Sequence, residues 1–218
     1  MLPTTSLIAV FLFSFLVGTG AVITPGPVSV AIVSQAPRRG WLAGPLVATG
    51  HSLLELFIVL LIALGLAAGL AQPRIQVVIA LLGGLLLAWM GARMVWDACK
   101  GRVRLPGADA RFQIMSGGQL VGLGMLATIS NPFWYAWWVT VAAGYLSQAR
   151  ALGLAAVIAF YLGHIAADYT WDTVLSAVVG GGRRWLTGHL YRGLILLAGA
   201  FLVYLGFVFI YQGLTSLS

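Results

Sequence analysis

Six apolar runs constrain this chain more than any other feature. They cover roughly residues 6–35, 42–70, 74–97, 117–147, 151–179 and 190–213, separated by short polar or Pro/Gly-marked joints. At about 1.5 Å per residue, each is long enough to cross a hydrocarbon layer of about 30 Å as a helix. With 61% hydrophobic and 8% charged residues among 218, the chain lacks the polar surface that a water-soluble domain needs. The sequence therefore predicts an all-α membrane protein of six transmembrane helices in a single domain spanning 1–218. Leu7 to Val17 has no basic flank and no small-residue cleavage pattern, so it reads as the start of the first span and not as a secretion signal.

Charge placement sets the expected orientation. The net charge of +7 does not indicate nucleic acid, because the basic residues sit in short joints between apolar runs. Arg38, Arg39, Arg93, Lys100, Arg102, Arg104, Arg111, Arg183, Arg184 and Arg192 fall on one side, and only Arg74 and Arg150 on the other. Cytoplasmic joints carry the basic excess. This places the basic joints inside a cytoplasmic membrane and both termini outside. The lone cysteine, Cys99, excludes an internal disulfide.

The halves of the chain resemble one another. Gly50-His51-Ser52-Leu53-Leu54-Glu55 is echoed by Gly163-His164-Ile165-Ala166-Ala167-Asp168, and Leu81 to Gly91 aligns without gaps on Leu196 to Gly206. Thr24-Pro25-Gly26-Pro27 in the first span has its counterpart in Asn131-Pro132 in the fourth. Two copies of a three-helix unit, about 6–97 and 117–213 with a cytoplasmic loop at about 98–115, must enter the membrane in opposite senses. Inverted repeats with interrupted helices are a signature of secondary transporters, whose sites lie at the repeat interface.

Three groups of residues are candidates for chemistry. The prolines at 25, 27 and 132 remove backbone donors and clash with the preceding turn, so helices 1 and 4 should break there and free backbone groups for a ligand. In each Gly-His-x-x-x-acid copy the imidazole and carboxylate are four residues apart, hence on one helical face. His51 and His164 fall about 14 and 18 Å along their helices, near midplane, and Asp172 continues the second stripe. Ionisable groups at that depth are costly and usually face a protein-lined cavity. Thr24, Pro25, Gly26, Pro27, His51, Glu55, Asn131, Pro132, His164, Asp168 and Asp172 are therefore the candidate substrate-binding or coupling residues. Trp134 and Trp138 are candidate cation–π partners for an ammonium. Gly40/Gly44 and Gly118/Gly122 are spaced for close helix packing. Trp41, Trp96 and Trp185 fall at predicted cytoplasmic ends, as interface anchors do. No phosphate loop, nucleophile elbow or zincin motif is present, so neither enzyme chemistry nor ATP coupling is expected.

Pro25-Gly26-Pro27, Arg39-Gly40-Trp41-Leu42-Ala43-Gly44, Gly83 to Gly91 and Asn131-Pro132 resemble the signatures of the LysE/RhtB family of amino-acid exporters. The resemblance covers most of the chain, including its length and its basic mid-chain loop. It implies a prokaryotic inner-membrane carrier of amino acids or related small metabolites, driven by protons or membrane potential, with no cofactor. Its partners would be a small-molecule substrate, a coupling proton and the bilayer, and a homo-oligomer is compatible with it. Two other readings remain open. His51, Glu55, His164 and Asp168 form an N/O donor set for a divalent metal cation exporter, and a non-transporting membrane subunit is the third.

Overall fold

The structure is a computed structural model that describes residues 2, 6–24, 26–65, 72–103, 115–182 and 187–215. Pro25, Arg104, Arg111, Arg183, Arg184 and Trp185 lie outside the described residues. Among those described, every regular element is helical. In chain order they are α1 (Leu7–Val22), α2 (Pro27–Arg39), a 3₁₀ turn (Gly40–Leu42), α3 (Ala43–Ala63) and α4 (Pro73–Cys99). The second half contains α5 (Gly117–Ile129), α6 (Pro132–Trp137), a π-helical turn (Trp138–Ala142), α7 (Ala143–Leu152), α8 (Leu154–Gly181) and α9 (Gly188–Thr215).

Local chemistry accounts for the boundaries. Ser6 caps α1 by accepting from the Ala9 N–H, and Ser116 forms a reciprocal capping box with Gln119 at the start of α5. Proline begins α2, α4 and α6, where its missing N–H has no helical partner to lose. Asn131 caps α6 through the Phe133 N–H at 3.1 Å. Gly40, at φ 68°, lets the chain turn from α2 into α3, and Gly153, at φ 106°, turns α7 into α8. The breaks between α1 and α2 and between α5 and α6 coincide with the two proline positions singled out in the sequence.

Contacts fix the relative directions of the helices. Ser14 donates to the Phe160 carbonyl at 2.6 Å, Gly18 meets His164 and Ala167, and Gly180 meets Ala36. The broken pair α1–α2 thus runs alongside α8 in the same sense. Helix α3 runs against α8, since Tyr161 bonds the Ser52 carbonyl at 3.0 Å, Thr49 bonds Tyr169 at 2.8 Å, and Gly44 meets Asp172 and Ser176. Helix α3 runs with the α5–α7 strip, from Leu46 beside Gly117 to Ile58 and Val59 packed with Trp138 and Leu146. Helices α4 and α9 cross in opposite senses. Their backbones touch at Gly84 against Gly206 and at Gly91 against Gly199.

The distribution of polarity is inverted relative to a soluble protein. Ser14, Ser52, Glu55, Thr128, Ser130, His164, Asp168, Asp172 and Ser176 are buried, while Leu16, Phe57, Leu82, Trp89, Leu197 and Phe207 are exposed. An exterior of this kind suits lipid, whereas in water it would be a large aggregation-prone patch. Three helical runs, Pro27–Ala63, Pro73–Cys99 and Gly188–Thr215, are long and apolar enough to cross a membrane, and Leu7–Val22 and Gly117–Ile129 are shorter apolar helices. The first of those runs folds back at Gly40, so that α2 and α3 lie along α8 in opposite senses.

One packing expectation fails. A side chain at Gly118 or Gly122 would meet open space, so these glycines make no close seam; the contacts lie instead at Gly50 against Val121 and Gly124 against Val47. The glycine spacing was right for packing but pointed to the outward face of α5. In the α4–α9 seam, Gly206→Leu should cost about 1–3 kcal/mol through overpacking. Gly122→Leu should fall within about 0.5 kcal/mol of the unsubstituted protein. Thermal unfolding of the two variants in detergent checks this contrast.

Candidate functional site

The two helix breaks open on one cavity of about 180 Å³. Thr24 and Gly26 line it from the first break, with Val28 and Ser29 from the first turn of α2. Asn131 and Trp134 line it from the second. Gly26 lies close enough to Asn131 that an added Cβ would stand 3.8 Å from its amide nitrogen, so the two breaks face each other. Proline starts each following helix, which is why the sequence opens the backbone at these positions. Leu205 and Phe209 of α9 supply an apolar wall.

The polar wall comes from the repeated His–acid motif. His51, Glu55, His164 and Asp168 all line the cavity. The helical spacing put each pair on one face, but the bonds do not stay within the pairs. Glu55 Oε1 lies 3.1 Å from His51 Nε2 and 3.2 Å from His164 Nε2, and it also accepts the Trp138 indole N–H at 3.2 Å. Asp168 stands farther from its own histidine, with Oδ2 at 3.8 Å from His164 Nε2. Neither Glu55 Oε2 nor Asp168 Oδ2 has a hydrogen-bond partner among the described residues, and both carboxylates are buried. The first motif therefore forms the hub of a network, and the second adds a buried carboxylate to the residues lining the cavity.

Three residues that the sequence did not single out complete the network. Thr128 Oγ1 lies 2.7 Å from His51 Nδ1. Trp137 stacks on His164, with ring centroids 4.7 Å apart and planes 26° apart. Ser52, next to His51, passes its carbonyl to Tyr161. A polar residue one helical turn before a helix break was the available signal for Thr128. The cross-helix pairing itself leaves no trace in sequence spacing.

Trp134 and Trp138 also line the cavity, and the remaining candidates are placed differently. Trp138 has its ring edge-on to His164 and spends its N–H on Glu55, while Trp134 tilts toward His51 with centroids 6.5 Å apart. Pro27 is buried but does not line the cavity. Pro132 packs against Gly83 and lines a second cavity of about 390 Å³, between the start of α4 and the end of α9. Asp172 is fully buried beside Gly44, outside the cavity lining, with no hydrogen bond to either oxygen among the described residues. Trp41 and Trp96 are exposed, as expected for anchors. Donor atoms of His51, Glu55 and Asp168 lie within 4.8 Å of one another, close enough to share an ion. Both imidazole Nε2 atoms, however, are already directed at Glu55 Oε1.

A family model described as "LysE type translocator" matches residues 19–213. The chain is also similar to "Putative amino acid efflux protein YcgF" of Bacillus subtilis (strain 168). That relative is 26% identical over 215 residues, covering 95% of this chain and 98% of the relative. No solved structure matches the chain. Within the site itself, Trp138→Phe keeps the ring and removes the indole N–H. It should cost about 1–2 kcal/mol of stability by leaving buried Glu55 short of a donor, read by thermal unfolding in detergent.

Proposed function

The chain belongs to the LysE type translocator family, and on that premise we propose that it exports a small amino acid or related amine by secondary transport. It is a multi-pass membrane transporter and not an enzyme. The observation that carries the substrate reading is the cavity between the two helix breaks. One side of it is lined by Asp168, and another by the first-turn residues Val28 and Ser29 of α2. A zwitterion fits that polarity. Its ammonium would meet Asp168 and the faces of Trp134 and Trp137, and its carboxylate would meet the N–H groups at the start of α2. A small side chain would lie against Leu205 and Phe209. The volume suits a small amino acid. A metal cation would have to displace both imidazoles from Glu55, and the metal reading is disfavoured for that reason.

Alternating access follows from an inverted-repeat reading in which about 6–97 and 117–213 are equivalent halves. Its support lies in paired contacts. Aligning Leu81–Gly91 on Leu196–Gly206 makes Gly84 equivalent to Gly199 and Gly91 to Gly206. Exchanging the halves therefore turns the Gly84–Gly206 contact into the Gly199–Gly91 contact, and both are present. In the same way Gly50 packs on α5 and Gly163 on α1. Six crossings, basic joints in the cytoplasm and both termini outside complete the proposed topology. Thr24, Gly26, Asn131 and the His–acid cluster bind or couple, Pro25, Pro27 and Pro132 hold the breaks open, and a proton gradient or the membrane potential drives the cycle.

The test is transport in proteoliposomes under an imposed proton gradient, with amino acids and divalent metals offered in parallel. Gradient-dependent movement of a small amino acid is expected. Asp168→Asn should lower it at least about 30-fold, the equivalent of roughly 2 kcal/mol for a lost charged contact. Movement of a metal and of no amino acid, or unchanged transport in Asp168→Asn, would sink this reading.

A further inference from the structure

Thr128 sits on α5 behind the cavity wall, fully buried and outside the cavity lining. Its hydroxyl makes two contacts, one to the Gly124 carbonyl at 2.8 Å and one to His51 Nδ1 at 2.7 Å. A hydroxyl has one hydrogen, and a carbonyl can only accept. The hydrogen therefore goes to Gly124, and toward the imidazole the hydroxyl oxygen can only accept. His51 Nδ1 must carry a hydrogen and donate it. Close packing of α3 on α5, with Gly124 against Val47 and Gly50 against Val121, holds the two groups at this distance.

The consequence falls on the other ring nitrogen. With Nδ1–H committed to Thr128, the 3.1 Å contact between His51 Nε2 and Glu55 Oε1 contains one further proton, held by the nitrogen or by the carboxyl oxygen. If that proton leaves, a lone pair on Nε2 faces a carboxylate, and the contact becomes repulsive until another cation replaces the proton. An ammonium group in the cavity is such a cation, because Glu55 lines the cavity. The ionisable groups facing His51 are Glu55 on its own helix and His164, Asp168 and Asp172 on α8. Helix α5 contributes none.

We propose that Thr128 is a positioning residue that locks the His51 ring with Nδ1–H turned away from the cavity, so that the Nε2–Glu55 contact is the seat of a proton exchanged for the substrate's ammonium. The exchange is one for one: a proton leaves the contact as an ammonium arrives, and it returns when the ammonium departs. This rests on the exporter reading for its transport consequence, and on the hydrogen bonds alone for the ring state.

Two measurements separate those parts. The ¹⁵N NMR spectrum of histidine-labelled protein in lipid nanodiscs, with His51 assigned by difference against His51→Asn, reports which ring nitrogen carries hydrogen and needs no substrate. The unsubstituted protein and Thr128→Ser should show a His51 Nδ1–H, and Thr128→Val should lose it. In proteoliposomes, Thr128→Val should reduce proton-driven export roughly 10-fold and shift its pH profile, with Thr128→Ser restoring both. If Thr128→Val does not fold, Thr128→Ala carries the same expectation. An unchanged His51 signature in the apolar variant, or failure of Thr128→Ser to restore it, would overturn the proposal. Unchanged export and pH profile in a variant whose ring state has changed would overturn its coupling half. If neither protein moves any substrate, the exporter reading fails while the spectrum still decides the ring state.

Discussion

Everything near the centre of this bundle answers to one buried oxygen. Glu55 is 1% exposed, in a protein whose exterior is lipid-facing, so the water that would ordinarily solvate its carboxylate is excluded. Isolating such a group costs several kcal/mol unless hydrogen-bond donors replace that water. The replacements come from three places: His51 one turn earlier on α3, His164 on α8, and Trp138 at the start of the π-helical turn. The last two tie α8 and the π-helical turn to the same point on α3. The π-helical turn fits this picture, because an extra residue in a helical turn rotates the side chains around it and is favoured where a functional group must be aimed. Trp138 is also a large, fully buried side chain in the main apolar cluster, so packing and polar satisfaction fix it together.

Around that point the helices are held by shape more than by chemistry. Lipid removes the hydrophobic drive for helices to associate, and close contact must come from van der Waals packing. Hence the backbone-to-backbone seams at Gly84–Gly206 and Gly91–Gly199 between α4 and α9. The α3–α5 and α1–α8 seams are also glycine-built, but they flank the polar network. There the close approach has a second use: it brings Thr128 within reach of His51, and it places Gly18 directly beside the His164 ring.

Much of this was legible in the sequence, and the boundary of legibility is physical. Apolar runs and proline positions act locally, so the apolar helical character of the chain and the interruptions before Pro27 and Pro132 could be read directly. Helical periodicity likewise placed His51 with Glu55 and His164 with Asp168 on common faces, and all four reached one cavity. What periodicity cannot carry is which partner a side chain meets across a helix interface. For that reason the His164–Glu55 bond, the Trp138–Glu55 bond, the Trp137 stack and Thr128 were missed. The glycines of α5 show the same limit. Spacing marks small residues, but which face meets a neighbour is decided by tertiary packing, and Gly118 and Gly122 lie on the open side while Gly124 makes the seam.

The two copies of the motif share glycine, histidine and acid at one spacing yet are unequal in space, and the length of the acid accounts for part of the difference. Glutamate is one carbon longer than aspartate. From α3, Glu55 reaches its own histidine at 3.1 Å and crosses the interface to the other at 3.2 Å. Asp168, at the equivalent place on α8, comes only to 3.8 Å of its own ring. Had both acids been aspartates, neither would have bridged the interface. Acids at equivalent positions are thus placed unequally: Glu55 joins α3 to α8 and to the π-helical turn, whereas Asp168 stands 3.8 Å from its own histidine.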